Sequence, residues 1–105
     1  MQFVETTEER LYKAELLYRV PGDLLNAAGD QPAAEQHYRQ AIILAEQQSA
    51  RLFQLRASTS LARLWRDQGR WAEARDLLAP LYDWFTEGFD APDLKDAKAL
   101  LGELA

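Results

Sequence analysis

The sequence predicts an all-α chain of about five helices, arranged as antiparallel pairs stacked into an α-α superhelix. Three observations carry this. Apolar residues recur at steps of three and four along the chain, and glycines stand where the apolar stripes end, at Gly29, Gly69 and Gly88. Two stretches 40 residues apart also show the same order of small and large apolar side chains. No segment alternates apolar and polar residues for long, and β-branched residues are scarce, so no strand is expected.

The first helix shows Leu11, Ala14, Tyr18, Pro21/Gly22 and Leu25 on one stripe, with a Thr-x-x-Glu capping box in Thr6-Thr7-Glu8-Glu9 ahead of it. Pro21 lies inside that stripe, where it lacks a backbone donor and crowds the carbonyl of Leu17. The stripe continues in phase on both sides, which favours a kink over a break. Gly29 ends this helix, Asp30 caps the next, and Pro32 fits its first turn. The second helix carries Ala34, Tyr38, Ala41 and Ala45, and Ser49 is the expected cap between it and the third. The third carries Leu55, Ser58, Ala62 and Trp65 and ends at Gly69; the fourth carries Ala74, Leu78, Leu81 and Phe85 and ends at Gly88. Asp90 and Pro92 open a fifth, with Leu94, Ala97, Leu101 and Leu104 on one face.

Aligning Gly29 with Gly69 sets Gly22 on Ala62, Leu25 on Trp65, Ala34 on Ala74, Tyr38 on Leu78 and Ala41 on Leu81. Small residues let antiparallel helices approach closely, large ones fill the space between turns, and each glycine lets the chain fold back. The string Gly22-x-x-Leu25, Gly29-Asp30, Ala34, Tyr38, Ala41, and again Ala62-x-x-Trp65, Gly69, Ala74, Leu78, Leu81, resembles the tetratricopeptide repeat over about residues 12–86. Two departures stand out: the repeats lie 40 residues apart instead of about 34, and neither carries the usual terminal proline. The reading is one domain over 1–105: a first repeat at about 12–48, a second at about 49–88 and a capping helix at about 92–104. The stretch LRASTSLARLWRDQGRWAEARDLLAPLYDWFTEGFDAPDLKDAKALLGELA further resembles the helical-repeat tails of bacterial adenylate-cyclase-like and predicted-ATPase regulators. No GxxxxGK[ST] phosphate loop is present, so any enzymatic label of such proteins belongs to other domains.

Composition narrows the function. With 48% hydrophobic and 28% charged residues the chain has ordinary globular composition. It has no cysteine, which removes disulfides, thiol nucleophiles and thiolate metal sites together. A net charge of −5 argues against nucleic-acid binding. No secretory signal and no membrane-spanning run is visible, so a cytoplasmic location is expected. The charge is segregated. Residues 1–50 carry four basic and eight acidic side chains, and residues 71–105 carry three and eight. Residues 51–70 carry five arginines (Arg51, Arg56, Arg63, Arg66, Arg70) against Asp67 alone.

No constellation reads as catalytic. His37 is the only histidine and is expected on the outer side of the second helix, which excludes a histidine-rich metal site or a conventional triad. The acidic pairs Glu8/Glu9 and Asp93/Asp96 sit in first turns, where they complement the helix dipole. Trp65 is a core residue by its place in the repeat, whereas Trp71 opens the fourth helix at a position packing does not need and is a candidate partner contact. Trp84, Phe85 and Phe89 form an apolar patch that the fifth helix covers in part.

Arginines give the sharpest signal. Arg56, Thr59, Arg63 and Arg66 step by three, four and three and share one face of the third helix. The equivalent face of the first helix shows Leu16, Arg19, Asp23 and Asn26. The tetratricopeptide resemblance implies that these faces line a groove for an extended peptide, with asparagines and basic residues clamping its terminal carboxylate. Arginine suits that role, since its planar fork gives two hydrogen bonds to one carboxylate. Internal pairing, for instance of Arg63 with Asp23, is the competing reading.

The expected function is therefore a non-catalytic protein-interaction module that holds an acidic or carboxylate-bearing segment, with Arg56, Thr59, Arg63, Arg66, Arg19, Asn26 and Trp71 as its binding residues. No cofactor, metal, nucleic acid or membrane is expected. The alternatives are a self-association unit forming a homodimer, helped by Leu11, Leu16, Leu17 and Tyr18 on the first helix, the sensor tail of an ATPase- or cyclase-type regulator, and a sensor or enzyme fragment with a small-molecule site between helices.

Overall fold

A computed structural model of the chain describes residues 18–85 and 91–104. Five helices follow one another within them: α1 (Val20–Ala27), α2 (Gln31–Gln47), α3 (Arg51–Asp67), α4 (Trp71–Trp84) and α5 (Pro92–Leu104). No strand occurs among the described residues, and the all-α helical-repeat class is the one the chain adopts. Each helix packs on the next, and α5 packs on both α3 and α4. This makes α3 the central helix, in contact with α2, α4 and α5.

Three linkers of one design set the repeat. Gly29 (φ 89°), Ser49 (φ 55°) and Gly69 (φ 81°) each take a left-handed conformation just past a helix end. After each, the next N–H reaches back five residues to a carbonyl: Asp30 to Leu25 at 2.9 Å, Ala50 to Ala45 at 2.8 Å and Arg70 to Trp65 at 2.8 Å. This Schellman closure satisfies carbonyls that a helix end would otherwise orphan. Ser49 therefore corrects the sequence reading. It ends α2 instead of capping α3, whose N-cap is Ala50 with no side-chain bond. The 40-residue repeat has a simple origin: α2 and α3 are 17 residues each, joined by short linkers. The helices are long; the connections are not.

The core follows the predicted stripes closely on α2, where Ala34, Tyr38, Ala41 and Ala45 are all buried. Asp30 caps this helix through its Oδ1, which accepts from the Ala33 N–H at 3.3 Å. On α3, Leu55, Ser58, Ala62 and Trp65 are buried together with Ala57, Thr59, Leu61 and Leu64, so this helix buries far more than one stripe. Gly22 lets α1 lie against α2: a Cβ there would sit 2.8 Å from the Tyr38 ring.

Pro21 has helical backbone on both sides, and two expectations change. Pro21 stands in the first turn of α1, preceded by a π-helical turn at Tyr18 and Arg19. The wider turn accommodates a residue that cannot donate and leaves helical backbone on both sides of Pro21. The fourth helix ends at Trp84, where Phe85 turns extended (ψ 132°) and sets its ring edge-on to Trp84 at 5.2 Å. It also carries Pro80 in its interior. On α5 the buried stripe is Leu94, Ala97, Leu100 and Leu104, with Leu101 half-buried at its edge, because α5 is wedged between two helices rather than laid on one. The Thr6–Glu9 capping box, Leu11, Ala14, Leu16, Leu17, Gly88, Phe89 and Asp90 lie outside the described residues.

Candidate functional site

The arginine face of α3 is one wall of a groove of about 250 Å³. Arg56, Thr59, Ser60 and Arg63 come from α3, Arg19 from the turn that leads into α1, and Asp93 and Asp96 from α5. Helical stepping puts the α3 residues on one side, and the packing of α5 on α3 supplies the facing acids. Of the seven residues singled out in the sequence, the groove gathers four: Arg19, Arg56, Thr59 and Arg63.

Their partners differ. Arg56 makes a two-pronged pair with Asp93, Nε to Oδ1 at 3.1 Å and Nη2 to Oδ2 at 2.7 Å, with both groups partly buried. That planar fork is the strongest form of ion pair available to a carboxylate. Arg19 donates from Nη1 to Asp23 at 3.0 Å. Thr59 is 4% exposed, and its hydroxyl donates to the Leu55 carbonyl at 2.8 Å, so its polar group is already satisfied within α3. Arg63 differs from these: its side chain is 46% exposed and its Nη2 stands 3.9 Å from Asp96, beyond hydrogen-bond length. Among the described residues that is its closest carboxylate contact.

Asp23 does not pair with Arg63. Its carboxylate accepts from the Tyr38 hydroxyl and from Arg19, which ties α1 to α2. Burial of Tyr38, together with the Asp23 hydrogen bond and charge, pushes the phenol pKa up, so it remains a donor. The acids that meet the arginine face come from α5 instead.

The other three candidates lie outside the groove. Arg66 is one turn further along and donates to Glu103 on α5 at 2.5 Å and to Asp67 at 3.1 Å. Asn26, in the last turn of α1, has its backbone carbonyl occupied by the Gly29 N–H at 3.0 Å. Trp71 is 49% exposed, and its indole N–H donates to the Arg66 carbonyl at 3.0 Å, closing the C-terminal end of α3.

Two sets of residues escaped the sequence reading. The sequence places Asp93 and Asp96 in a first turn and gives Glu103 no role. Their signal was a shared offset, since Arg56–Asp93 and Arg66–Glu103 are both 37 residues apart. The second set surrounds Trp65. Glu35 on α2 accepts from the Trp65 indole at 2.9 Å, from Arg39 at 3.1 Å and from Arg70 at 3.2 Å, while both guanidinium groups stand over the Trp65 ring. Burial works to raise the Glu35 pKa, but the Trp65 and Arg39 hydrogen bonds and the charges of Arg39 and Arg70 prevail and lower it. Among the described residues no cluster of metal-ligating side chains is present. No helix there is long and apolar enough to cross a membrane.

The sequence model of the tetratricopeptide repeat matches residues 55–80, which span most of α3, its linker and α4 up to Pro80. No curated protein and no solved structure matches the chain.

Proposed function

We propose that the chain is a non-catalytic protein-interaction module that holds an acidic or carboxylate-bearing segment in the groove formed by α3, α5 and the turn that leads into α1. The match of the α3–α4 hairpin to the tetratricopeptide repeat supports an interaction role. The observation that carries the ligand chemistry is Arg63. Arg19 is tied to Asp23 and Arg56 to Asp93, whereas Arg63 faces Asp96 at 3.9 Å with its side chain nearly half exposed. A carboxylate entering the groove meets that fork, with the charges of Arg19 and Arg56 on either side.

Titration of the chain with a glutamate-rich peptide bearing a free terminal carboxylate tests this. Binding is expected to weaken as salt shortens the screening length from about 8 Å at physiological ionic strength. Arg63→Glu is expected to abolish it with the helical circular-dichroism signal unchanged. Equal affinity in a folded Arg63→Glu protein would remove the groove as the site.

Self-association is the second reading, favoured by Val20 and Leu24 on α1, which are 37% and 67% exposed and one turn apart. The resemblance to bacterial regulator tails adds a third context, in which a neighbouring ATPase or cyclase module is the partner. Co-purification of the chain with such a module tests that context.

A further inference from the structure

A second cleft, of about 380 Å³, opens between α2 and α4 with α3 as its floor. It uses Arg51, Gln54 and Ser58, which at about 100° per residue lie on the side of α3 opposite Arg56, Thr59 and Arg63. Ile42, Leu77 and Leu81 make its walls apolar, and Glu46 on α2 and Asp76 on α4 bring a carboxylate from each side.

Three features of this cleft accept hydrogen bonds that the fold does not supply. Ser58 is 1% exposed, lines the cleft, and its Oγ has no hydrogen-bond partner. A buried hydroxyl without a partner is costly and rare in native folds. Pro80 lies inside α4 and has no N–H, so the main-chain carbonyl of Asp76, four residues before it, loses its helical donor on the side where both residues line the cleft. The Glu46 and Asp76 carboxylates have no ion pair among the described residues. Arg51, the cation in the cleft, is held by two other residues of its lining and by neither carboxylate: it donates to Gln54 at 3.2 Å and stacks 5.1 Å from the Trp84 ring.

We infer that this cleft binds a basic side chain, lysine or arginine, presented by a partner polypeptide. The alkyl stem lies along Ile42, Leu77 and Leu81, and the charged head sits between Glu46 and Asp76 with its N–H donors directed at Ser58 Oγ and the Asp76 carbonyl. A long basic side chain is the occupant that matches both halves of the site, since it combines an apolar stem with a donor-only head. The surface differs from the arginine groove in position and in sign of charge, so the two readings stand or fall separately.

The probe is an acetylated, amidated peptide of alternating alanine, leucine and lysine, added to the full chain with amide resonances followed by NMR. Shifts are expected at Ile42, Glu46, Ser58, Leu77 and Leu81, and the same peptide with acetylated lysines should cause none. Glu46→Gln and Asp76→Asn, both at the surface, should each weaken binding about tenfold, the loss of one charge-assisted hydrogen bond. Ser58→Ala separates binding from folding: it should weaken the peptide while raising the melting temperature, because it removes an unpaired buried hydroxyl. Any of four results overturns the proposal. These are no cleft shifts with the lysine peptide, equal shifts with its acetylated form, a lowered melting temperature in Ser58→Ala, or concentration-dependent cleft shifts without peptide, which would seat a second copy there.

Discussion

At the scale of single residues, three linker positions and one glycine test the fold directly. Ser49 holds a left-handed conformation at φ 55°, where Gly29 and Gly69 stand in the equivalent linkers. A side chain there costs about 1–2 kcal/mol, and glycine costs about 0.5–1 kcal/mol in chain entropy. Ser49→Gly should therefore stabilise the protein by about 0.5–1 kcal/mol, the difference of those two costs, read as a higher denaturant midpoint with an unchanged m-value. Gly22 behaves in the opposite way. Its added Cβ would meet the Tyr38 ring at 2.8 Å, and Tyr38 is fixed by burial and by its bond to Asp23. Gly22→Ala should destabilise by about 1–3 kcal/mol, as overpacking of a core does. Gly22 was legible from its small-residue place in the repeat. The role of Ser49 was not, because serine reads as an N-cap when the direction of the neighbouring helix end is unknown.

At the scale of helices, the Glu35 network joins α2 to α3 through Trp65 and to the linker before α4 through Arg70. The folded pKa of Glu35 lies below its ordinary value of 4.5, so the carboxylate contributes stability above that pH. The contribution is lost as pH falls below 4.5 and through the lowered folded pKa. Glu35→Gln should lower stability at pH 7 and flatten the acid side of a stability–pH profile measured by urea unfolding. An unchanged profile would show that Glu35 is not the linked group. Pro21 makes a second test. A π turn runs directly into α1, so helical backbone lies on both sides of a residue that cannot donate. Pro21→Ala should therefore raise stability, by up to about 3 kcal/mol in urea unfolding, and a drop would place a true break there.

At the scale of the whole molecule, the chain presents two faces of different chemistry across α3. The side shared by α3, α5 and the turn before α1 is rich in arginine, and the cleft between α2 and α4 sets two acids and Arg51 over an apolar wall. Val20 and Leu24 add an exposed apolar strip on α1. If the strip pairs with a second copy, light scattering at about 100 μM should give a mass above that of the 12.0 kDa chain, and Leu24→Glu should return the monomer. A monomeric wild-type mass would remove self-association from the function.

The sequence by itself determined the helical class, the helix order and most of the core, because these depend on spacing along the chain. Ala34, Tyr38, Ala41 and Ala45 needed nothing but the helical period to be recognised as buried. It also placed Arg56, Thr59 and Arg63 on one face. Only the tertiary structure decided what that face meets. The docking of α5 brings Asp93 two-pronged onto Arg56, Glu103 onto Arg66 and Asp96 merely near Arg63. Pairing between helices distant in the chain depends on their offset and rotation, which hydrophobic periodicity does not encode. A difference of about 1 Å in reach separates an occupied guanidinium from one with donors to give.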